Sequence, residues 1–272
     1  MKMEFLKTSP EKKVILGKDG WLFYDTDNYL GDGITIKDYR GLAPFSDKEL
    51  IQIKNELERR RDTLAKSGIQ YVVAVAPNKN TIYSDYLPDY ITKITPETRL
   101  DQLTKYMRQN STVKVVDPRW VLHEGRTTYP TYYMNNSHWN DYGALLAYGE
   151  IMKEVESQRK GIKIYGVQDF DLFLEARERG DIGDMLAIGD ILGDVNVGLR
   201  VRGQVDKHII GKLVFVHDSF GDWLTWFLTL HFDPIVDLQT QHFFDIKRII
   251  SEKPVVVIHV IAERYLDRLG VN

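Results

Sequence analysis

The feature that most constrains the fold of this chain is an alternation. A stretch of helical period gives way, across a glycine or polar break, to a short run of apolar β-formers that stops at a proline or a polar cluster. Ser46-Asp47-Lys48-Glu49 has the spacing of a helix cap with an acidic residue three places on. Leu50, Ile53, Leu57 and Leu64 follow at helical intervals, so a helix is predicted from about Asp47 to Ser67, ending at Gly68. Directly after it, Tyr71-Val72-Val73-Ala74-Val75-Ala76, closed by Pro77, is too short for a buried helix and reads as a buried parallel strand. The pattern recurs as a helix near Pro96 to Gln109, a strand Val113 to Val116, a helix near Tyr142 to Ser157, a strand Lys212 to His217, a helix from Phe220, and a strand within Pro254 to Ile261. This order predicts an α/β fold, a mainly parallel sheet with helices on both faces. Gly17-Lys18-Asp19-Gly20 ahead of Trp21-Leu22-Phe23-Tyr24 adds a short hairpin. No repeat or long linker divides the 272 residues, which read as one domain over 1–272.

Composition narrows the function. Thirty-six basic against 39 acidic side chains leave a net charge of −3, so no global field draws the chain to nucleic acid or anionic membranes. The absence of cysteine excludes disulfides, thiol catalysis and Cys-ligated metal. No H-x-x-x-H or H-E-x-x-H pattern links the seven histidines, and His123, His208, His231 and His242 lack partners at ligand spacing, so neither a metal nor another cofactor is expected. The glycine-aspartate stretches Gly180 to Asp184 and Gly189 to Asp194 match neither a phosphate loop nor a calcium loop and read as turns. The longest apolar runs, such as Val255 to Ala262, are too short to cross a bilayer, and Met1 to Tyr24, broken by Pro10 and Gly17, carries no apolar signal core.

In an open parallel sheet, ligands bind beyond the carboxyl ends of the strands. Four stretches fall at such places: Pro77-Asn78-Lys79, Asn136-Ser137-His138-Trp139, His217-Asp218-Ser219-Phe220 and Glu263-Arg264-Tyr265-Leu266. Ser219, at a strand-to-helix turn, would meet free backbone N–H groups and the positive end of a helix dipole, the setting in which an oxyanion is stabilised. A hydroxyl still needs a base, and His138, in a polar loop ahead of a helix, is the candidate. The competing reading is structural: Asp218 or Ser219 merely caps the helix, and His138 is an ordinary surface or core histidine. Asn78 is a candidate oxyanion donor, while Lys79 and Arg264 are candidate substrate anchors, against a solvated lysine and an ion-paired arginine.

Taken in order, these stretches resemble the polysaccharide O-acetyltransferase family typified by the alginate O-acetylation proteins AlgX and AlgJ, whose domain is SGNH-hydrolase-like. The resemblance runs through Gly20 to Tyr24, Ala76 to Lys79, Thr81-Ile82-Tyr83, Leu87-Pro88, His138-Trp139-Asn140, Gly143-Ala144, Gly180-Asp181-Ile182, Met185-Leu186, Asp218-Ser219-Phe220 and Glu263 to Leu266. It implies Ser219 as nucleophile and His138 as base, with the histidine motif upstream of the serine, a permuted order relative to ordinary SGNH esterases. It also implies a two-step reaction: Ser219 takes an acetyl group as an ester, then a hydroxyl of an exported polysaccharide, deprotonated by His138, accepts it. With water as acceptor the same site is an acetylesterase. The resemblance further implies an extracytoplasmic protein lacking its leader here, an acetyl donor, and room for a membrane-bound protein that delivers acetyl groups.

One departure stands out. The family pattern is Asp-x-His-Trp, and this chain reads Asn136-Ser137-His138-Trp139, an amide where a carboxylate orients the imidazole. In the serine-protease triad that exchange lowers kcat by ~10⁴. An amide oxygen still accepts Nδ1–H when held the right way round, as in the Cys-His-Asn proteases. Asp141, three residues past His138, is an alternative carboxylate if that segment is helical, although capping is its more natural role. Three explanations of Asn136 compete: a slow natural enzyme, a catalytically silent carbohydrate-binding or assembly protein of an exopolysaccharide system, and a deliberate inactivating substitution. An unrelated intracellular α/β protein is the remaining alternative.

Overall fold

The computed structural model describes residues 11, 13–25, 35–177, 180–187, 189, 193–240 and 243–271. The readings on Pro10, His242 and Asp190 to Leu192 lie outside them. In chain order the elements are β1 (Val14–Leu16), β2 (Leu22–Tyr24), α1 (Thr35–Tyr39), α2 (Asp47–Ala65), β3 (Gln70–Ala76), α3 (Lys79–Ile82), α4 (Arg99–Asn110), β4 (Val115–Val116) and α5 (Arg119–Gly125). They continue with α6 (Asp141–Gln158), β5 (Phe170–Arg177), α7 (Asp181–Met185), β6 (Asp194–Val201), β7 (Gly211–His217), a 3₁₀ turn (Ser219–Trp223), α8 (Thr225–Leu228), β8 (Phe232–Gln239), α9 (Ile246–Ser251), β9 (Val256–Ala262) and a closing 3₁₀ segment (Glu263–Gly270).

Five strands form a wholly parallel sheet in the order β4-β3-β9-β7-β8. Side chains alternate across it with period two. Val72, Ala74, Ala76, Phe215, Ile258 and Val260 face α6, whose Ala144, Tyr148, Ile151 and Val155 cover that side. Tyr71, Val73, Val75, Val214, Val216 and Val257 face α2 and α4 through Leu50, Ile53, Leu57, Leu100 and Leu103. The mainly parallel sheet flanked by helices is thus observed. Helix α2 starts at the expected capping box: the Glu49 N–H donates to Ser46 Oγ and the Ser46 N–H donates to Glu49 Oε2. It is followed by Gly68 at φ +70°, which only glycine adopts readily.

Several elements differ from expectation. The strand expected over Val113 to Val116 narrows to Val115–Val116. The helix expected from Phe220 is broken into the 3₁₀ turn and the four residues of α8. That turn is wound so tightly that a Cβ on Gly221 would lie 2.2 Å from the His217 ring. Finally, β5 and β6 pair antiparallel as a separate ribbon, and β8 forms an edge of the main sheet, where no strand was expected.

The topology makes the site. From β3 the chain moves outward to β4, from β7 it moves outward the opposite way to β8, and β9 returns between β3 and β7. Because the strands run parallel, the carboxyl ends of these three central strands open on one edge, a topological switch point. Pro77-Asn78, Asp218-Ser219 and Glu263-Arg264 emerge there together.

Candidate active site

Ser219 begins the turn that follows β7. Asp218 caps that turn: its Oδ1 accepts the Phe220 N–H at 3.0 Å, and its Oδ2 accepts the Ala262 N–H of β9 at 2.6 Å. The choice left open between Asp218 and Ser219 as cap is therefore resolved, and the Ser219 hydroxyl is used elsewhere. Its Oγ lies 2.7 Å from His138 Nε2, across 81 positions of sequence.

His138 sits on a loop that leads into α6. The Tyr132 and Trp139 bridge closes the loop on itself, and six elements pin it from outside. The Tyr132 hydroxyl donates to Pro77 O at 2.6 Å, and Trp139 Nε1 donates to Phe220 O at 3.1 Å. Leu22 N–H of β2 donates to Met134 O at 3.0 Å. The Asp194 carboxylate, at the start of β6, accepts the N–H groups of Met134 and Asn135 at 2.8 and 2.7 Å. Lys79 donates from Nζ to the carbonyls of Tyr133, Met134 and Asn136 at 3.2, 3.0 and 2.8 Å. The expected substrate anchor is thus turned inward on a loop, its ammonium also over the rings of Trp21 and Phe23, and burial pulls its pKa down to about 7.

The sixth element is α7. Asp181 accepts the Ser137 N–H through Oδ1 at 2.6 Å and the Ser137 hydroxyl through Oδ2 at 2.5 Å, and this Oδ2 stands 3.5 Å from His138 Nδ1. From sequence Asp181 is part of a turn and of one stretch of the family resemblance, with no role beside the histidine. Its motif Gly180-Asp181-Ile182 was the available signal, but nothing local links it to a histidine 43 positions upstream.

Asn136 meets the imidazole directly. Its Oδ1 accepts the His138 backbone N–H at 3.0 Å and lies 2.8 Å from Nδ1. A backbone N–H only donates, so the amide oxygen must face it, and the same oxygen then requires a proton on Nδ1. That tautomer leaves Nε2 as a bare acceptor for the Ser219 hydroxyl. Burial lowers the imidazole pKa to about 4; Asp181 opposes the shift, while Arg264, Lys79 and Arg177 add to it. Phe220 and Trp223 pack on the ring, the latter stacked at 4.7 Å between centroids.

Asp141 does not join this group. Its carboxylate accepts Asn196 Nδ2 at 3.0 Å, and the cap of α6 is Asn140, whose Oδ1 accepts the Gly143 N–H at 2.9 Å. Asn78 and Arg264 do reach the site edge: with Ser137 they line a small recess, and Arg264 Nη1 donates to Asn78 Oδ1 at 3.4 Å. The guanidinium lies over the Phe220 ring, and its neighbours Tyr265 and Asp218 keep its pKa raised against burial. The buried Glu263, unremarked in the sequence beyond its motif, accepts the Asn78 N–H and the Thr81 hydroxyl, and burial raises its pKa to about 7.

Beside the imidazole opens a cleft of about 470 Å³ lined by Asp141, Arg177, Leu199, Asp222, Trp223 and Trp226. Trp223 is shared by both, since its ring stacks on His138.

Comparison with known proteins places the fold and the family. The match to the family described as SGNH hydrolase-like domain, acetyltransferase AlgX, covers residues 14–196. The "Probable alginate O-acetylase AlgJ" of Pseudomonas putida is 26% identical over 148 residues, 53% of this chain, and the match spans only 34% of that relative's length. Among solved structures, the O-acetyltransferase domain of Pseudomonas putida AlgJ superposes with a TM-score of 0.58 at 20% identity, covering 93% of this chain and 92% of the other. Bacillus cereus PatB1 gives 0.62 at 14% identity over 93% and 97%, and Pseudomonas aeruginosa AlgX gives 0.61 at 17% over 95% and 66%. At such identities these structures speak to the fold alone. The family match covers well over half of the sequence, and the chain belongs to the AlgX family of SGNH hydrolase-like acetyltransferase domains.

Proposed function

We propose that this chain transfers acetyl groups to hydroxyls of an exported polysaccharide through an acetyl-serine intermediate on Ser219. The observation that carries this reading is the 2.7 Å contact from Ser219 Oγ to His138 Nε2, with the tautomer held by Asn136 Oδ1 at 2.8 Å. As Oγ attacks the acetyl carbonyl of the donor, its proton passes to Nε2. The donor's bond to the acetyl group then breaks, and the leaving group takes the proton from the imidazolium. In the second half a sugar hydroxyl gives its proton to Nε2 and attacks the ester, and Ser219 Oγ leaves with that proton. Water in place of the sugar hydrolyses the same intermediate.

Asp218 occupies the Phe220 N–H through its side chain and the Gly221 N–H through its carbonyl, which leaves the Ser219 N–H at the head of the turn for the oxyanion. Asn78 stands at the recess edge with its Oδ1 turned to Arg264, so its amide N–H groups are the second donor in this reading. The cleft beside Trp223 suits the acceptor: flat indoles for the apolar face of a pyranose, with Asp141, Asp222 and Arg177 for its hydroxyls. Family membership supports an extracytoplasmic location and an outside source of acetyl groups.

Asn136 favours a second reading, in which the protein binds glycan without turning over. Hydrolysis of a small acetyl ester by the chain and by Ser219→Ala separates the two. The enzymatic reading expects a loss of ~10³-fold or more and an acetyl adduct at Ser219 in intact-mass spectrometry. Equal rates and no adduct leave the silent binder.

A further inference from the structure

Asn136 carries no charge, yet the reaction just described forms an imidazolium at His138 in both halves. A neutral amide fixes the ring and its tautomer but offers no counter-charge. The described surroundings of the ring are otherwise cationic: Arg264, Lys79 and Arg177 all disfavour a positive imidazole. One anion faces it. Asp181 Oδ2 stands 3.5 Å from Nδ1, and the Ser137 hydroxyl bridges the two, donating to Oδ2 at 2.5 Å with its oxygen 3.3 Å from Nδ1.

We infer that Asp181 is the positioning carboxylate of this site, supplying through the Ser137 hydroxyl the negative charge that Asn136 lacks. This rests on the acyl-serine reading. The division of labour is geometric. Asn136 Oδ1 accepts the Nδ1–H and sets the tautomer, and no proton moves to Asp181. When Nε2 takes the Ser219 proton, the positive ring is flanked by the Asp181 carboxylate through one hydroxyl, whose dipole already points toward that carboxylate. The backbone bond from the Ser137 N–H to Asp181 Oδ1 at 2.6 Å holds the carboxylate in place. Such a charge, 3.5 Å away and on a side chain 33% exposed, is weaker than a buried carboxylate in direct contact with Nδ1. The effect of removing it is therefore nearer tenfold than the ~10⁴ of the protease triad.

The arrangement also explains why α7 is braced so firmly for a single helical turn. Ile182 packs with Val14 and Leu22 of the β1–β2 hairpin, and the Gly183 N–H donates to Asn135 O at 3.1 Å.

A mutant cycle tests it. Acetyl-ester hydrolysis is measured against pH for the chain, Asp181→Asn, Asn136→Asp, the double variant and Ser219→Ala, with thermal melts to confirm folding. Asp181→Asn should lower kcat by about tenfold and move the acid limb to lower pH, because the carboxylate that raises the imidazole pKa is gone. Asn136→Asp should restore both in the Asp181→Asn background, and its gain there should exceed its gain in the wild type, where one carboxylate already flanks the ring. Ser137→Ala, which removes only the bridging hydroxyl, should fall between. Equal effects of Asn136→Asp in both backgrounds, or an unmoved acid limb in Asp181→Asn and Ser137→Ala, overturn the inference. If Ser219→Ala retains full activity, it is the acyl-serine reading that fails instead.

Discussion

The Lys79 ammonium touches three carbonyls of the loop that carries Asn136 and His138, and each bond runs inward. From sequence it is a cation at a strand end, a solvated loop lysine or an anchor for a substrate anion. Which carbonyls it would meet depends on a loop 54–57 residues further on, and no local pattern encodes that meeting. Asp181 was illegible for the same reason, whereas Ser219 stood at a strand-to-helix turn and His138 in a polar loop ahead of a helix. The two roles of Lys79 separate experimentally. A substrate anchor replaced by methionine raises KM and leaves the melting temperature alone. A loop tie replaced by methionine strands the buried carbonyls of Tyr133 and Asn136, Met134 O keeping the Leu22 N–H, and Lys79→Met should cost on the order of 3 kcal/mol in urea unfolding while lowering kcat more than it raises KM.

At the scale of elements, legibility followed burial. Strands β3, β7 and β9 lie in the middle of the sheet, covered on both faces, and their apolar runs, broken only by His259 in β9, announced them. Strand β8 sits at an edge, reads Phe-Asp-Pro-Ile-Val-Asp-Leu-Gln, and looks from sequence like a loop. The β5–β6 ribbon lies outside the main sheet with much of β5 exposed, and its signal is the alternation of Val195, Val197, Leu199 and Val201 along β6, a strand period that no neighbouring helix pattern accompanies. The short helix α7 was legible only as glycine and aspartate. Gly180 shows what that glycine is for: a Cβ there would fall 2.1 Å from Asn135 Oδ1 and 2.4 Å from its carbonyl oxygen. Bare backbone lets α7 press against the histidine loop and bring Asp181 within reach. Gly180→Ala should therefore cost about 1–3 kcal/mol of stability by calorimetry, and it should lower acetyl-ester hydrolysis at least as far as Asp181→Asn does, since it displaces the same carboxylate.

For the whole molecule, the sheet order brings together what the sequence scatters: three strand ends at the switch point and one loop folded over them. The α/β class followed from alternation alone, but the pairing order that makes β9 the central strand did not, because parallel neighbours share no turn that marks them. The cleft is likewise a product of assembly, taking Asp141 from α6, Arg177 from the end of β5 and the two indoles from either side of Leu224. Trp226 is its most informative wall, 48% exposed, braced edge-on by Phe170 and Phe227, and out of contact with the Ser219 and His138 pair. If the cleft seats the acceptor, Trp226→Ala should leave hydrolysis of a small acetyl ester within about twofold, because that substrate needs only the serine, the imidazole and the oxyanion donors. Acetyl transfer to an oligosaccharide should fall by roughly tenfold or more through KM, the stacking face for one sugar ring having been removed. Equal loss of both activities would instead mean that Trp226 supports the turn bearing Ser219, and an unchanged transfer rate would place the acceptor on another face of the molecule.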